Sequence, residues 1–231
     1  MYSPAKPVSY LISSGQTTPA TTSSGKDFQH LLKLIEAAVA AKIDLIQVRE
    51  KHLSTNVLCE LVACAAEITS SSATKLLVND RADVAASAGA DGVHLTTHSL
   101  PTSVVRQAFG SDLLIGVSAH SLDQAKAARD AQADFVVFGP VFQTPAKQKH
   151  GPPAGLAQLR QVCAKLNGFP VLAIGGVSES NFADCLGAGA RGVAAIRMFG
   201  DAQRLGSIVV RIDEEFDTSL RSKLPHESLR R

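Results

Sequence analysis

The chain has 231 residues, which suits one large domain or two small ones, and 45% of them are hydrophobic, enough apolar surface for a core. A formal net charge of +2 without any run of basic residues gives no ground for nucleic-acid binding or charge-driven membrane binding, and leaves only local positive sites for an anion. No apolar run approaches the ~20 residues that span a bilayer.

The start, MYSPAKPVSYLISS, has no long apolar core behind basic residues, so no signal peptide is read there. Four cysteines, Cys59, Cys64, Cys163 and Cys185, form neither a C-x-x-C pair nor a zinc-like group with histidines. They read as thiols in a reducing, cytoplasmic compartment.

In chain order, short β-branched or leucine-rich runs fall at 10–12, 45–48, 75–78, 92–95, 113–117, 135–138, 171–174 and 193–196. Most are continuously apolar, as expected for parallel strands covered on both faces. Helical patterns lie between them. In the first, Phe28, Leu31, Leu32, Ile35 and Val39 share one stripe. Ser54 is placed to cap the second, Pro101 to sit in the first turn of the fourth, and Ser121 with Gln124 has the shape of a capping box. The helix-to-strand junctions AAKIDLIQV, SAGADGVHL, DAQADFVVF and GAGARGVAAI resemble one another, with small residues where a helix packs close to the strand it feeds. Eight strand-helix units predict one α/β domain over 1–231, a closed (β/α)8 TIM barrel. Two segments depart from the beat. Residues 13–26, polar and expected to be flexible, would hang over the barrel mouth, and a charged tail from about residue 213 reads as a last helix and a solvated end.

Barrels of this kind carry their sites at the C-terminal ends of the strands, so polar residues that stop a strand run are the candidates. After the second strand, Gln47, Arg49 and Lys51 share one parity and would point the same way. A planar guanidinium fork and an ammonium beside an amide can grip a diphosphate, and position at a strand end favours that reading over a surface charge cluster paired with Glu50. Asn79 and Asp80 end the third strand. An Asp next to a phosphate-rich ligand suits Mg2+, which takes one or two carboxylates plus phosphate oxygens and water, and Asp80 or Asp83 could equally cap a helix. Ser118 and His120 follow the fifth strand on one parity, offering a hydroxyl and an imidazole that can serve as general acid or base. Thr144, Lys147 and Lys149 lie in a Gly- and Pro-rich loop after the sixth strand that can wrap an anion. Gly175 and Gly176 end the seventh and Arg197 follows the eighth, where such barrels bind phosphate on backbone N–H groups.

The stretches QVREK, VNDRADVAASAGADGVHL, IGVSAH, ADFVVFGPVFQTPAK and VLAIGGVSESN with its GAGARGV, in this order over roughly 8–200, resemble the thiamin phosphate synthase family and its relative, the thiazole tautomerase. The resemblance implies a barrel that couples hydroxymethylpyrimidine diphosphate to a thiazole phosphate with Mg2+ as cofactor. It assigns Gln47 to the pyrimidine, Arg49, Lys51, Asn79, Ser118 and Lys147 to the diphosphate, Asp80 to the metal, and Thr144 and Gly176 to the thiazole phosphate. The partners it implies are small-molecule substrates, with no nucleic acid and no membrane, and it leaves room for a homo-oligomer.

The chain departs from the synthase pattern at three places. Ser99 stands where a second metal-ligating Asp is expected, Ala146 replaces one hydroxyl of the sixth loop, and Arg197 replaces a Ser after the eighth strand. TTHSL at 96–100 resembles the tautomerase relatives, which use a His at the position of His120 for proton transfer. A thiazole tautomerase and a noncatalytic thiazole phosphate-binding regulatory barrel therefore stand as alternatives.

Overall fold

A computed structural model describes residues 6–144 and 152–221, with side chains through residue 216. Lys147, Lys149 and Ala146 lie outside the described residues. The strands are β1 (Val8–Ile12), β2 (Leu45–Val48), β3 (Lys75–Asn79), β4 (Gly92–Leu95), β5 (Leu114–Ala119), β6 (Phe135–Phe138), β7 (Val171–Ile174) and β8 (Gly192–Ala195). Between and after them come α1 (Lys26–Ala40), α2 (Thr55–Thr69), α3 (Ala82–Ser87), α4 (Thr102–Phe109), α5 (Leu122–Asp130), α6 (Gly155–Lys165), α7 (Phe182–Gly187) and α8 (Leu205–Arg221). Every strand pairs in parallel with its neighbours in sequence, and β1 closes the ring on β8. This is the (β/α)8 barrel read from the sequence.

Alternation along the strands sorts side chains into two cores. Val8, Tyr10, Ile12, Leu45, Leu77, Phe135, Val137, Leu172 and Ala194 fill the barrel interior. The opposite parity, Leu11, Ile46, Val48, Leu76, Val78, Val93, Ile115 and Val136 among others, packs outward against the helices. Continuous apolar strands are thus two half-patterns superimposed. In α1 the buried stripe is Phe28, Leu31, Leu34, Ile35 and Ala38. Leu32 and Val39, expected on it, lie at its margin and are only partly buried, because Leu34 and Ala38 carry the stripe toward the barrel instead.

Ser54 caps α2 by accepting from Val57 N at 3.4 Å. Ser121 caps α5 through Gln124 N at 3.2 Å, and the Gln124 side chain reaches back to His120 N at 2.7 Å, one residue beyond the cap. Pro101 is itself the cap residue of α4, one position earlier than its expected place in the first turn. Ile208, Val209 and Ile212 of α8 are buried, so the last helix begins near Leu205, well before residue 213.

The repeated junctions have a shared physical cause. Asp44, Asp91 and Asp134 each precede an even-numbered strand, and each accepts a backbone N–H from the odd strand before it. Asp44 takes Ser9 N at 2.9 Å, Asp91 takes Leu76 N at 2.8 Å and Asp134 takes Ile115 N at 2.7 Å. Lys75 and Arg106 pair with Asp91 and Asp134, both at 2.7 Å. A cavity of about 1200 Å3 is lined by Asp44, Lys75, Asp91, Asp134, Gly189 and Arg191 among others. It lies at the N-terminal end of the strands, the end that governs stability in such barrels, and its aspartates are already engaged. Among the described residues no helix is long and apolar enough to cross a membrane. The four cysteines are free thiols, and burial pushes Cys185 up to about 12, which makes it unreactive.

Candidate active site

The other end of the barrel gathers the polar residues. Gln47 of β2, Asn79 of β3 and Ser118 of β5 point inward near the C-terminal ends of their strands, and Arg49, Lys51, Asp80 and His120 follow in the loops just beyond. Gly175 and Gly176 follow β7, and Arg197 follows β8. Gln47 and Asn79 are buried, Arg49 and Ser118 half-buried, Lys51, His120 and Arg197 exposed. Thr144 is the last described residue before 152 and is half-buried. Arg49 and Lys51 make no ion pair among the described residues.

Glu50 does not pair with either cation. It is buried and accepts from Ser13 Oγ at 2.5 Å, Gly15 N at 3.1 Å, and Thr17 N and Oγ1 at 3.2 and 2.6 Å. The surface-cluster reading of QVREK is therefore corrected: the carboxylate is spent on the segment after β1, and Arg49 stays available. Ser13 Oγ also accepts Arg49 N at 2.8 Å, so this segment is anchored at its start. Gly15, at φ +71°, lets the chain pass within 3.4 Å of the Arg49 guanidinium as measured from a would-be Cβ. A cavity of about 380 Å3 adjoins, bounded by Ser14, Gln16, Glu50, Ile196 and Arg197.

Asp80 sits at φ +61° and holds three side-chain donors. Its Oδ2 accepts Asn79 Nδ2 at 2.7 Å, and its Oδ1 accepts the hydroxyls of Ser99 and of Thr96, the latter at 3.2 Å. It does not cap α3, whose cap residue is Arg81; Asp83 instead forms an ion pair with Arg81 at 2.6 Å. Among the described residues no three His, Cys, Asp or Glu side chains cluster as a metal site. Mg2+ needs fewer, since one carboxylate with phosphate oxygens and water suffices. Asp80 fits that requirement only when a phosphate-bearing ligand is beside it, with Ser99 steadying the carboxylate.

His120 Nδ1 faces the carbonyl of Gly139, which can only accept. Nδ1 therefore carries the hydrogen, and in the neutral ring Nε2 keeps its lone pair. Gly175 (φ +91°) and Gly176 (φ +68°) have no room for a side chain. A Cβ would lie 2.5 Å from Pro140 Cα at the first and 2.7 Å from Phe142 Cβ at the second. Phe142 N donates to Gly175 O at 2.9 Å and Val141 N to Ile174 O at 2.8 Å, which ties the loop after β6 to the end of β7, and Asn181 Nδ2 donates to Gly176 O at 3.0 Å within the loop after β7.

Beneath the rim lies a residue that parity could have found. His94 of β4 pairs in register with Asn79 and with Gly116, points inward, and lies 2.9 Å from Ser118 Oγ through Nε2. Burial pushes its pKa down to about 4 against an opposing pull from Asp80. Tyr10 Oη is 3.3 Å from His94 Nδ1 and accepts Gln47 Nε2 at 2.7 Å.

The model of the family described as thiamine monophosphate synthase matches residues 19–199, which takes in seven of these strands and every rim residue named above except Ser13 to Thr17. The chain belongs to that family. Within it, a thiamine-phosphate synthase of Methanoculleus marisnigri is 40% identical over 179 residues, covering 78% of this chain and 83% of the relative. One of Chloroflexus aurantiacus is 40% identical over 164 residues, covering 71% and 74%. The solved thiamine phosphate pyrophosphorylase from Pyrococcus furiosus superposes with a TM-score of 0.69 at 28% identity, over 96% of this chain and 98% of that one. The resemblance carried by QVREK, NDRAD and IGVSAH is borne out, and these matches lend the isomerase alternative no support.

Proposed function

We propose that this barrel mouth couples hydroxymethylpyrimidine diphosphate to a thiazole phosphate, releasing diphosphate and forming thiamin phosphate. The observation that carries the reading is that two cations without ion pairs among the described residues, Arg49 and Lys51, follow β2 on the same rim as the carboxylate of Asp80, which follows β3. Such a rim favours a polyanion that brings a metal with it. Arg49 offers a fork for two phosphate oxygens and Lys51 a point charge. Asn79 keeps one amide hydrogen beyond its bond to Asp80, and Ser118 adds a hydroxyl. Gln47 spends Nε2 on Tyr10, and its Oε1 has no partner among the described residues despite burial, an acceptor suited to an amino group on the pyrimidine.

In the reaction the bond between the pyrimidine methylene carbon and the diphosphate oxygen breaks, its electrons leaving with the diphosphate. The thiazole ring nitrogen then supplies the pair that forms the new C–N bond. Mg2+ held by Asp80 and the diphosphate would neutralise charge on the leaving group. Arg49, Lys51, Asn79, Ser118 and Lys147 hold the diphosphate as its charge grows, and that preorganised electrostatics is the main catalytic device. Thr144, the backbone of Gly175 and Gly176, and Arg197 take the thiazole phosphate, with Arg197 supplying charge where the family pattern has a hydroxyl. His120 has no obligatory proton to move in this chemistry.

Purified protein supplied with both substrates is expected to form thiamin phosphate only when Mg2+ is present, and His120→Ala to retain most of that rate. Isomerisation of a thiazole carboxylate phosphate without coupling, abolished by His120→Ala, would overturn the reading in favour of a tautomerase. Tight binding of the thiazole phosphate with neither turnover would overturn it in favour of a regulatory barrel.

A further inference from the structure

Four side chains form a continuous polar file across an otherwise apolar interior. Gln47, Tyr10 and His94 are each at most 3% exposed, and Ser118 at the far end is half-buried at the rim. The file is built in by its surroundings. Phe135 packs edge-on to Tyr10 with ring centroids 5.8 Å apart, and lies 6.3 Å from the His94 ring. Gly116, the register partner of both His94 and Phe135, leaves out the side chain that would strike Phe135 and approach His94 Nδ1 to 2.9 Å.

Donor and acceptor chemistry gives the file a direction. The Gln47 amide nitrogen can only donate, so Tyr10 Oη accepts there, at 2.7 Å, and its own hydrogen is left to give, with His94 Nδ1 within reach at 3.3 Å. A ring kept neutral by burial carries one N–H. With the Nδ1 lone pair accepting, that hydrogen is on Nε2 and goes to Ser118 Oγ at 2.9 Å. Ser118 then accepts from below and has its own hydrogen to give elsewhere. We infer that His94 is a positioning residue, fixed as the Nε2–H tautomer by Tyr10 and Gln47, which makes the Ser118 hydroxyl an obligatory donor to an anion at the barrel mouth. One file thus sets two ends at once: an acceptor, Gln47 Oε1, at β2 and a donor, Ser118, at β5. Such a mouth selects a ligand with a hydrogen-bond donor at one end and an anionic oxygen at the other. Naming that anion a diphosphate rests on the function proposed above; the direction of the file does not.

The test uses the full chain labelled with 15N at histidine. Long-range 1H–15N correlation at neutral pH is expected to show His94 as a single Nε2–H tautomer, and to show mixed tautomers in Tyr10→Phe. Binding of inorganic diphosphate with Mg2+ is then measured by calorimetry for wild type, Tyr10→Phe, Ser118→Ala and the double variant. Tyr10→Phe is expected to weaken binding about fivefold, the weight of one hydrogen bond, although Tyr10 reaches the mouth only through Gln47 and His94. The double variant is expected to bind no worse than Ser118→Ala alone, because both changes remove the same donor. A purely structural Tyr10 would give additive losses. An Nδ1–H tautomer in wild type, or additive losses, overturns the inference. If Tyr10→Phe fails to fold, or wild type fails to bind diphosphate, the wild-type tautomer decides alone. Failure to form thiamin phosphate with the tautomer as expected would sink the substrate assignment and leave the file standing.

Discussion

Thr17 Oγ1 donates to Glu50 Oε2 at 2.6 Å across 33 positions of sequence, and that bond ties the segment after β1 to the loop after β2. Three more donors, Ser13 Oγ, Gly15 N and Thr17 N, converge on the same carboxylate. The consequence is a rim in which an acidic neighbour of Arg49 is fully engaged, so the guanidinium keeps its charge for a ligand.

Glu50→Ala is expected to leave those four donors without an acceptor, at a cost on the order of 3 kcal/mol. Chemical denaturation should show the loss, and limited proteolysis should cut within residues 13–26 before the barrel unfolds. Glu50→Gln, which keeps the shape but offers one acceptor oxygen in place of two, should fall between. A Glu50→Ala protein as stable and as protease-resistant as wild type would show that the carboxylate is not the anchor.

Ser99 donates its hydroxyl to Asp80, where a second carboxylate would compete with it for charge. Ser99→Asp places two carboxylates together. Without metal, like-charge repulsion should lower Tm. Added Mg2+ should raise the Tm of Ser99→Asp more than that of wild type, since a ligand that binds only the folded state stabilises by mass action. Ser99→Ala should leave Asp80 less well held and weaken Mg2+-dependent coupling by roughly tenfold or more. Equal Mg2+ responses in Ser99→Asp and wild type would remove Asp80 from the metal.

The barrel was legible because its strands are short, mostly continuous apolar runs separated by helical patterns, and all eight fall within two residues of their expected bounds. The likeness of the junctions was visible too, but not its cause. Asp44, Asp91 and Asp134 act on strands 15 to 35 residues earlier, and the fourth junction replaces the Asp with Arg191. The rim was legible from the C-terminal strand ends, which bring Gln47, Asn79, Asp80, Ser118, His120, Gly175 and Gly176 to one end of the barrel. Two contributors were not read as part of the site. Glu50 has the wrong parity for the mouth and looks like a partner for its neighbours, and its real partners lie in a segment with no periodicity. His94 sits inside an apolar run, and only the register that sets it between Asn79 and Gly116 reveals what it touches.

Gly116→Ala is expected to cost about 1–3 kcal/mol, the range for overpacking a filled core. The added methyl meets the Phe135 ring, and relief by shifting Phe135 or His94 disturbs the file beneath the mouth. Denaturation and the substrate KM should therefore change together, whereas Gly187→Ala, where a Cβ meets nothing within 4 Å, should change neither.

His94 also makes stability depend on pH with a definite sign. Its folded-state pKa lies near 4, below the 6.5 of an unperturbed imidazole, because burial disfavours the charged ring. Above 6.5 both folded and unfolded states hold it neutral, and it contributes no slope. Between 6.5 and 4 the unfolded chain binds the proton and the folded chain does not, so stability falls as the solution is acidified; below 4 both are charged and the slope ends. The total loss is about 3 kcal/mol, from 1.36 kcal/mol per unit. Denaturation of metal-free protein at pH 7, 5.5 and 4.5 should show a decline that is absent from His94→Gln, an uncharged side chain with no titration in this window. A decline of the same size in His94→Gln would assign the acid sensitivity to other groups.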